Sequence, residues 1–172
     1  MKKAALLVLL GASLLFTSCA SFPRKTGITW PDRIESLVAI CDLDMSWRDM
    51  KYSGSMSIKM KYPDKLHLEV YGPFGQTVVY LQKDGKRFSF ISSDEKFNDQ
   101  EKFEHRFGIR LNDFIDDLAI KNPLTNDSGG TYAKRAEYVV RYELEGGNDR
   151  MCWRGKDGNI CIRFLEATFN EN

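Results

Sequence analysis

The sequence predicts an α+β protein: one antiparallel sheet that curls, with helices covering one of its faces. Three observations predict it. Apolar and polar residues alternate through the middle of the chain, helical spacing replaces that alternation around residues 97–118, and alternation returns before the C-terminus. The chain of 172 residues is the size of one domain with a single core or a modest cavity, and its 11 Phe and 7 Tyr suit a wide apolar interior. The formal net charge is +1, with no basic block to attract nucleic acid and no acidic tail to attract a basic partner.

The first element is a leader. Met1, Lys2 and Lys3 precede an uncharged apolar run from Ala4 to Phe16, shorter than the ~20 residues a membrane-spanning helix needs. A basic start, a short apolar run and a small-residue site read as a secretory signal. Phe16-Thr17-Ser18-Cys19-Ala20 resembles a lipobox, in which the Cys19 thiol takes a diacylglyceryl group. The expected division is therefore a signal peptide over 1–18, a lipidated linker over 19–30 and one domain over 31–172. Several acyl chains, each methylene contributing about 0.8 kcal/mol, would anchor Cys19 stably. By resemblance, the absence of Asp after Cys19 implies outer-membrane sorting in place of inner-membrane retention.

Pro31 is expected to open a helix, since its missing N–H costs nothing in a first turn. Ile34, Leu37, Val38 and Cys41 then form a helical stripe that buries Cys41. From Tyr52 the period is two: Met56, Ile58 and Met60 share a face, and after a turn at Tyr62-Pro63-Asp64 so do Leu66, Leu68 and Val70. A turn at Gly72-Pro73-Phe74-Gly75, a strand over Thr77–Gln82, a turn at Lys83-Asp84-Gly85-Lys86 and a strand with Phe88 and Phe90 complete a meander with one apolar face. Phe103 and Phe107 mark a helix ending at Gly108, and Leu111, Phe114, Ile115 and Leu118 a second. A polar loop follows, then strands over 133–145 with Tyr138, Val140 and Tyr142 on one face.

The last unit is a hairpin. If Lys156 and Asp157 are its loop, Cys152 faces Cys161 as a non-hydrogen-bonded pair, and an oxidising compartment would bridge them. A slipped register would keep the thiols apart.

The residues offer little chemistry. His67 and His105 sit among charged neighbours, as solvated histidines do, and no nucleophile motif, phosphate loop or zinc spacing is present. Adjacent Asp116 and Asp117 point apart on their helix and read as solvated, as do Glu143 and Glu145. The expectation is a protein with no catalytic residues, no metal and no cofactor. Phe74 is the unusual feature, because turn tips run over the surface and are normally polar. An aromatic there is folded back onto the sheet or aimed at something apolar; the residues by themselves favour the folded-back state.

Taken in order, the lipobox, an amphipathic helix, Gly54 opening a strand, the run Leu66-His67-Leu68-Glu69-Val70-Tyr71-Gly72-Pro73-Phe74-Gly75-Gln76-Thr77 and the stretch Phe107-Gly108-Ile109-Arg110-Leu111-Asn112-Asp113-Phe114 resemble the LolB-like outer-membrane lipoproteins of the LolA/LolB-like lipoprotein localisation group. The resemblance covers roughly residues 31–123. It implies an incomplete β-barrel around an apolar cavity, with helices over its mouth. Such a protein accepts acyl chains of other lipoproteins from a soluble periplasmic LolA-type carrier and inserts them into the outer membrane, as a monomer anchored on the periplasmic face. It further implies that Pro73, Phe74 and Gly75 form a protruding membrane-insertion loop. The expected cavity wall is Met56, Ile58, Met60, Leu66, Leu68, Val70, Phe88, Phe90, Tyr138, Val140 and Tyr142, where methionine suits a wall that adapts to flexible chains. The competing expectation is a lipid-anchored scaffold of the same fold with a filled core. The chain departs from the family in a short stretch between Gly54 and Pro63, an early end and the absence of a proline after Gly108.

Overall fold

The computed structural model describes residues 27–128 and 130–171. The expected signal peptide, the lipidation at Cys19 and most of the linker lie outside them, as does Gly129.

Five strands come first: β1 (Ser36–Trp47), β2 (Met50–Lys61), β3 (Lys65–Tyr71), β4 (Thr77–Asp84) and β5 (Arg87–Ser92). A short β6 (Lys96–Phe97) leads into helices α1 (Gln100–Phe107) and α2 (Leu111–Leu118). The chain then forms β7 (Thr125–Asp127), β8 (Gly130–Lys134), β9 (Tyr138–Glu143), β10 (Arg150–Gly155) and β11 (Gly158–Phe169). Among the described residues, eleven strands join one antiparallel sheet in the order β6-β5-β4-β3-β2-β1-β11-β10-β9-β8-β7. The edge strands β6 and β7 do not pair with each other, so the sheet is open, as in an incomplete barrel.

The meander follows the alternation read from its residues, including the turn at Tyr62–Asp64, where the Tyr62–Pro63 bond is cis. The cysteine hairpin adopts the register in which Cys152 faces Cys161, and the two form a disulfide with Cα atoms 4.2 Å apart. Gly158 closes that turn at φ 134°, and a Cβ there would meet the Ser46 carbonyl at 2.0 Å, so no larger residue fits.

One element differs in kind. The helix expected after Pro31 is the central strand β1, flanked by β2 and β11. Leu37, Ala39, Cys41 and Leu43 point into the core, while Val38 and Ile40 stay half exposed on the other face. Leu37 and Cys41 belong to the helical stripe, but with Ala39 and Leu43 they also make a period of two. Pairing along both sides of the strand decides between them, with β-branched Val38 and Ile40 suited to the pleated surface. Cys41 is buried as expected, but on a strand.

Residues just before position 31 also contact the sheet. Trp30 packs on Phe164 and Phe169 with ring centroids 5.0 Å away in each case, and its indole N–H donates to Asp149 at 2.8 Å. The Ile28 N–H reaches the same carboxylate at 3.3 Å, so the end of the expected linker is docked on the domain.

Candidate functional site

Both helices lie against the apolar face of the sheet, held by different chemistry. Asp99 caps α1 by accepting from the Lys102 N–H at 3.2 Å, and Gly108 ends it at φ 69°. Phe103 and Phe107, four residues apart, share its buried face and stack with Phe90 at 5.0 and 5.4 Å. Helix α2 has no capping side chain of its own. Glu104 of α1 supplies one, accepting from the Leu111 N–H at 3.0 Å.

Between α1 and the first five strands lies an apolar cavity of about 590 Å³. Leu43, Met45, Met50 and Met56 form one wall, and Leu68, Val70, Val78, Val79 and Leu81 another. Phe90, Phe103 and Phe107 close the side under α1, with Ile160 and Ile162 of β11 contributing further surface. Exposed Lys51, Pro73, Ser93 and Asp94 also border it, which marks a mouth at the β3–β4 turn.

A clasp of charges spans the rim. Arg106 of α1 pairs with Asp49 in the β1–β2 turn at 3.0 Å and with Glu95 beyond β5 at 2.9 Å. The Arg106 guanidinium holds the Asp49 carboxyl below the usual carboxylate range. Arg48 donates to the Arg106 and His105 carbonyls at the end of α1 and pairs with Asp157 at 3.2 Å. The Trp47 indole N–H donates to the Phe107 carbonyl at 2.7 Å. Apart from the Trp47 bond, these are contacts of half-exposed or exposed groups, which contribute little to stability.

Helix α2 is fixed from within. Asp117, expected on a solvated face, is fully buried. Its Oδ1 accepts from Asn122 at 2.7 Å and from Arg135 at 3.0 and 2.9 Å. Its Oδ2 accepts from the Tyr138 hydroxyl and the Trp153 indole, both at 3.0 Å. Burial pushes the Asp117 carboxyl up, and Arg135, Trp153 and Tyr138 oppose that shift. Each of these partners donates, so the arrangement fits the ionised form. The sequence held one signal for this site: inward-facing Tyr and Trp need partners for their polar tips.

The expected cavity residues divide into two groups. Met56, Leu68, Val70 and Phe90 line the cavity. The others are core, not wall. Ile58, Met60 and Leu66 are buried toward the β2–β3 turn, and Phe88 packs on Phe103 at 5.2 Å. Tyr138 and Tyr142 hydrogen-bond to Asp117 under α2, and Val140 is buried between them. The wall is supplied instead by Leu43 and Met45 of β1, by Met50 and by β4. Phe74 is 92% exposed, so the folded-back conformation is not the one adopted. Pro73 and Gly75 are exposed with it. His67 lies on the outer face, 3.0 Å from Glu69, and His105 is exposed. Among the described residues no group of three or more His, Cys, Asp or Glu could hold a metal ion.

Compared with known proteins, the chain matches no protein-family model and no curated sequence.

Proposed function

We propose that this chain is a LolB-like lipoprotein, anchored through Cys19 on the periplasmic face of the outer membrane, that binds acyl chains of other lipoproteins and helps insert them into the bilayer. It works as a monomer by affinity, with no catalytic step. A soluble periplasmic carrier of the LolA type delivers the cargo.

One observation carries this reading. The mouth of a 590 Å³ apolar cavity is bordered by Pro73, and the next residue, Phe74, stands almost fully in solvent. Apolar surface buried by entry of a chain contributes roughly 25 cal/mol per Å². An aromatic tip at the mouth of such a cavity gives that chain a short route into lipid.

The scaffold reading draws on a separate observation, the packing of Ile58, Met60, Leu66, Phe88, Tyr138, Val140 and Tyr142 into core. That packing fills the inner face toward the β2–β3 turn and under α2 and leaves the cavity near Phe74 free.

The test mixes the Cys19→Ala mature chain with a carrier loaded with a triacylated lipoprotein and follows the cargo by native mass spectrometry. Movement of the cargo onto the chain is expected. Retention on the carrier, with a control receptor active and this chain folded, would leave the scaffold reading.

A further inference from the structure

We infer that the cavity takes a single acyl chain of about palmitoyl to stearoyl length, so that a multiply acylated cargo is held by one chain while its others stay outside. This rests on the acyl-binding reading above and adds a limit to it.

The limit comes from volume and from what surrounds it. A methylene fills about the space of a water molecule, whose share of liquid volume is about 30 Å³. The cavity of about 590 Å³ therefore holds about twenty such groups. That is one long chain, and a second would need about as much space again.

The walls oppose growth to that size. Under α1 the rings of Phe90, Phe103 and Phe107 contact one another, with centroids 4.7–5.4 Å apart. Toward α2, Phe114 stacks on Trp153 at 4.8 Å. The void among Trp47, Phe114, Tyr138 and Trp153 is only about 10 Å³, at the lower limit for one water. Widening it means moving Trp153 or Tyr138, both hydrogen-bonded to buried Asp117. Met45, Met50 and Met56 let the wall adapt to the course of one chain without adding room for another. Lifting α1 at the Arg106 clasp would open the cavity to water, which removes the reason for a chain to be there.

The experiment titrates the Cys19→Ala mature chain with lysophosphatidylcholines carrying decanoyl through behenoyl chains, each below its micelle concentration. A two-chain probe, dipalmitoyl phosphatidylcholine, is run beside them, with stoichiometry from native mass spectrometry. Affinity is expected to rise by up to about fourfold per added methylene, then level off near the stearoyl chain, at one lipid per protein. The two-chain probe should bind no tighter than the palmitoyl one. Val79→Trp, which fills the wall, should move the break to shorter chains. Affinity that keeps climbing through the behenoyl chain, or two lysolipids bound per protein, would overturn the one-chain limit and leave acyl binding standing. A folded protein that binds no chain would overturn both.

Discussion

Pro73 borders the cavity, and Phe74, its neighbour in the chain, is 92% exposed. A single β-turn thus joins an apolar interior to an apolar projection. Gly75 makes this possible at φ 79°, and the Gly75 N–H donates to the Gly72 carbonyl at 2.9 Å. The Phe74 N–H donates to the Gln76 side chain at 3.1 Å.

Phe74→Glu should separate membrane contact from folding. The side chain touches solvent, so the free energy of unfolding should change by no more than about 0.5 kcal/mol. Partition of the Cys19→Ala form onto liposomes should weaken about ten- to hundredfold, the equivalent of losing one buried Phe. Vesicle co-sedimentation measures it; unchanged partition would remove Phe74 from the membrane-contact account.

Asp117→Ala removes the nearest of three carboxylates around Arg135, the others being Asp113 at 3.5 Å and Asp116 at 3.7 Å, and leaves the polar tips of Tyr138 and Trp153 unsatisfied. Urea denaturation should show a loss of about 3–5 kcal/mol, as for other broken buried pairs. A loss below 1 kcal/mol would mean that α2 is held by its apolar stripe alone.

The Cys152–Cys161 bridge closes a loop with a sequence separation of 9. The entropy of so short a loop corresponds to a contribution of about 2–3 kcal/mol. Cys152→Ala with Cys161→Ala should lower stability by that amount and leave the hairpin register intact in a two-dimensional NMR spectrum.

Cys41 is fully buried in β1, and burial, with Asp42 adding to it, pushes its thiol well above the usual range. A thiolate-selective reagent should leave Cys41 unmodified in the folded mature Cys19→Ala chain and label it in urea. Rapid labelling in buffer would place this segment outside the core and contradict the strand assignment.

The rim clasp should respond to acid. Arg106 depresses the Asp49 carboxyl below its unfolded value, ordinarily about 3.9. The contribution is therefore complete above that value and is lost as pH falls below it through the folded one. Amide exchange in α1, corrected for its intrinsic pH dependence, should stay constant from neutral pH to about 4 and then accelerate. Asp49→Asn should abolish that step.

Much of this fold was legible from local pattern. The β10–β11 hairpin follows from Gly155-Lys156-Asp157-Gly158 between alternating residues, and α1 from Phe103, Phe107 and Gly108. β1 was not, because Ile34, Leu37, Val38 and Cys41 satisfy a helical period while Leu37, Ala39, Cys41 and Leu43 satisfy an alternating one. Pairing decides between them, with β2 on one side and, on the other, with β11, more than a hundred residues away. The burial of Asp117 was not legible for the same reason: it flanks the apolar stripe of α2, and its partners Arg135, Tyr138 and Trp153 come from elsewhere in the chain. The cavity is the least legible feature, since inward-facing Met56 and inward-facing Met60 have the same local pattern. Met56 lines the cavity, whereas Met60 lies among packed side chains nearer the β2–β3 turn.

The most direct test of the central claim uses a triacylated lipoprotein whose acyl chains carry a photoreactive diazirine, presented to the Cys19→Ala chain by its carrier. Illumination followed by peptide mapping locates the chain. Adducts are expected on cavity residues such as Leu43, Met56, Leu68, Val79 and Phe90. Adducts confined to the exposed apolar residues Val38, Ile40 and Ile91 outside the cavity, or none on a folded protein, would contradict that claim.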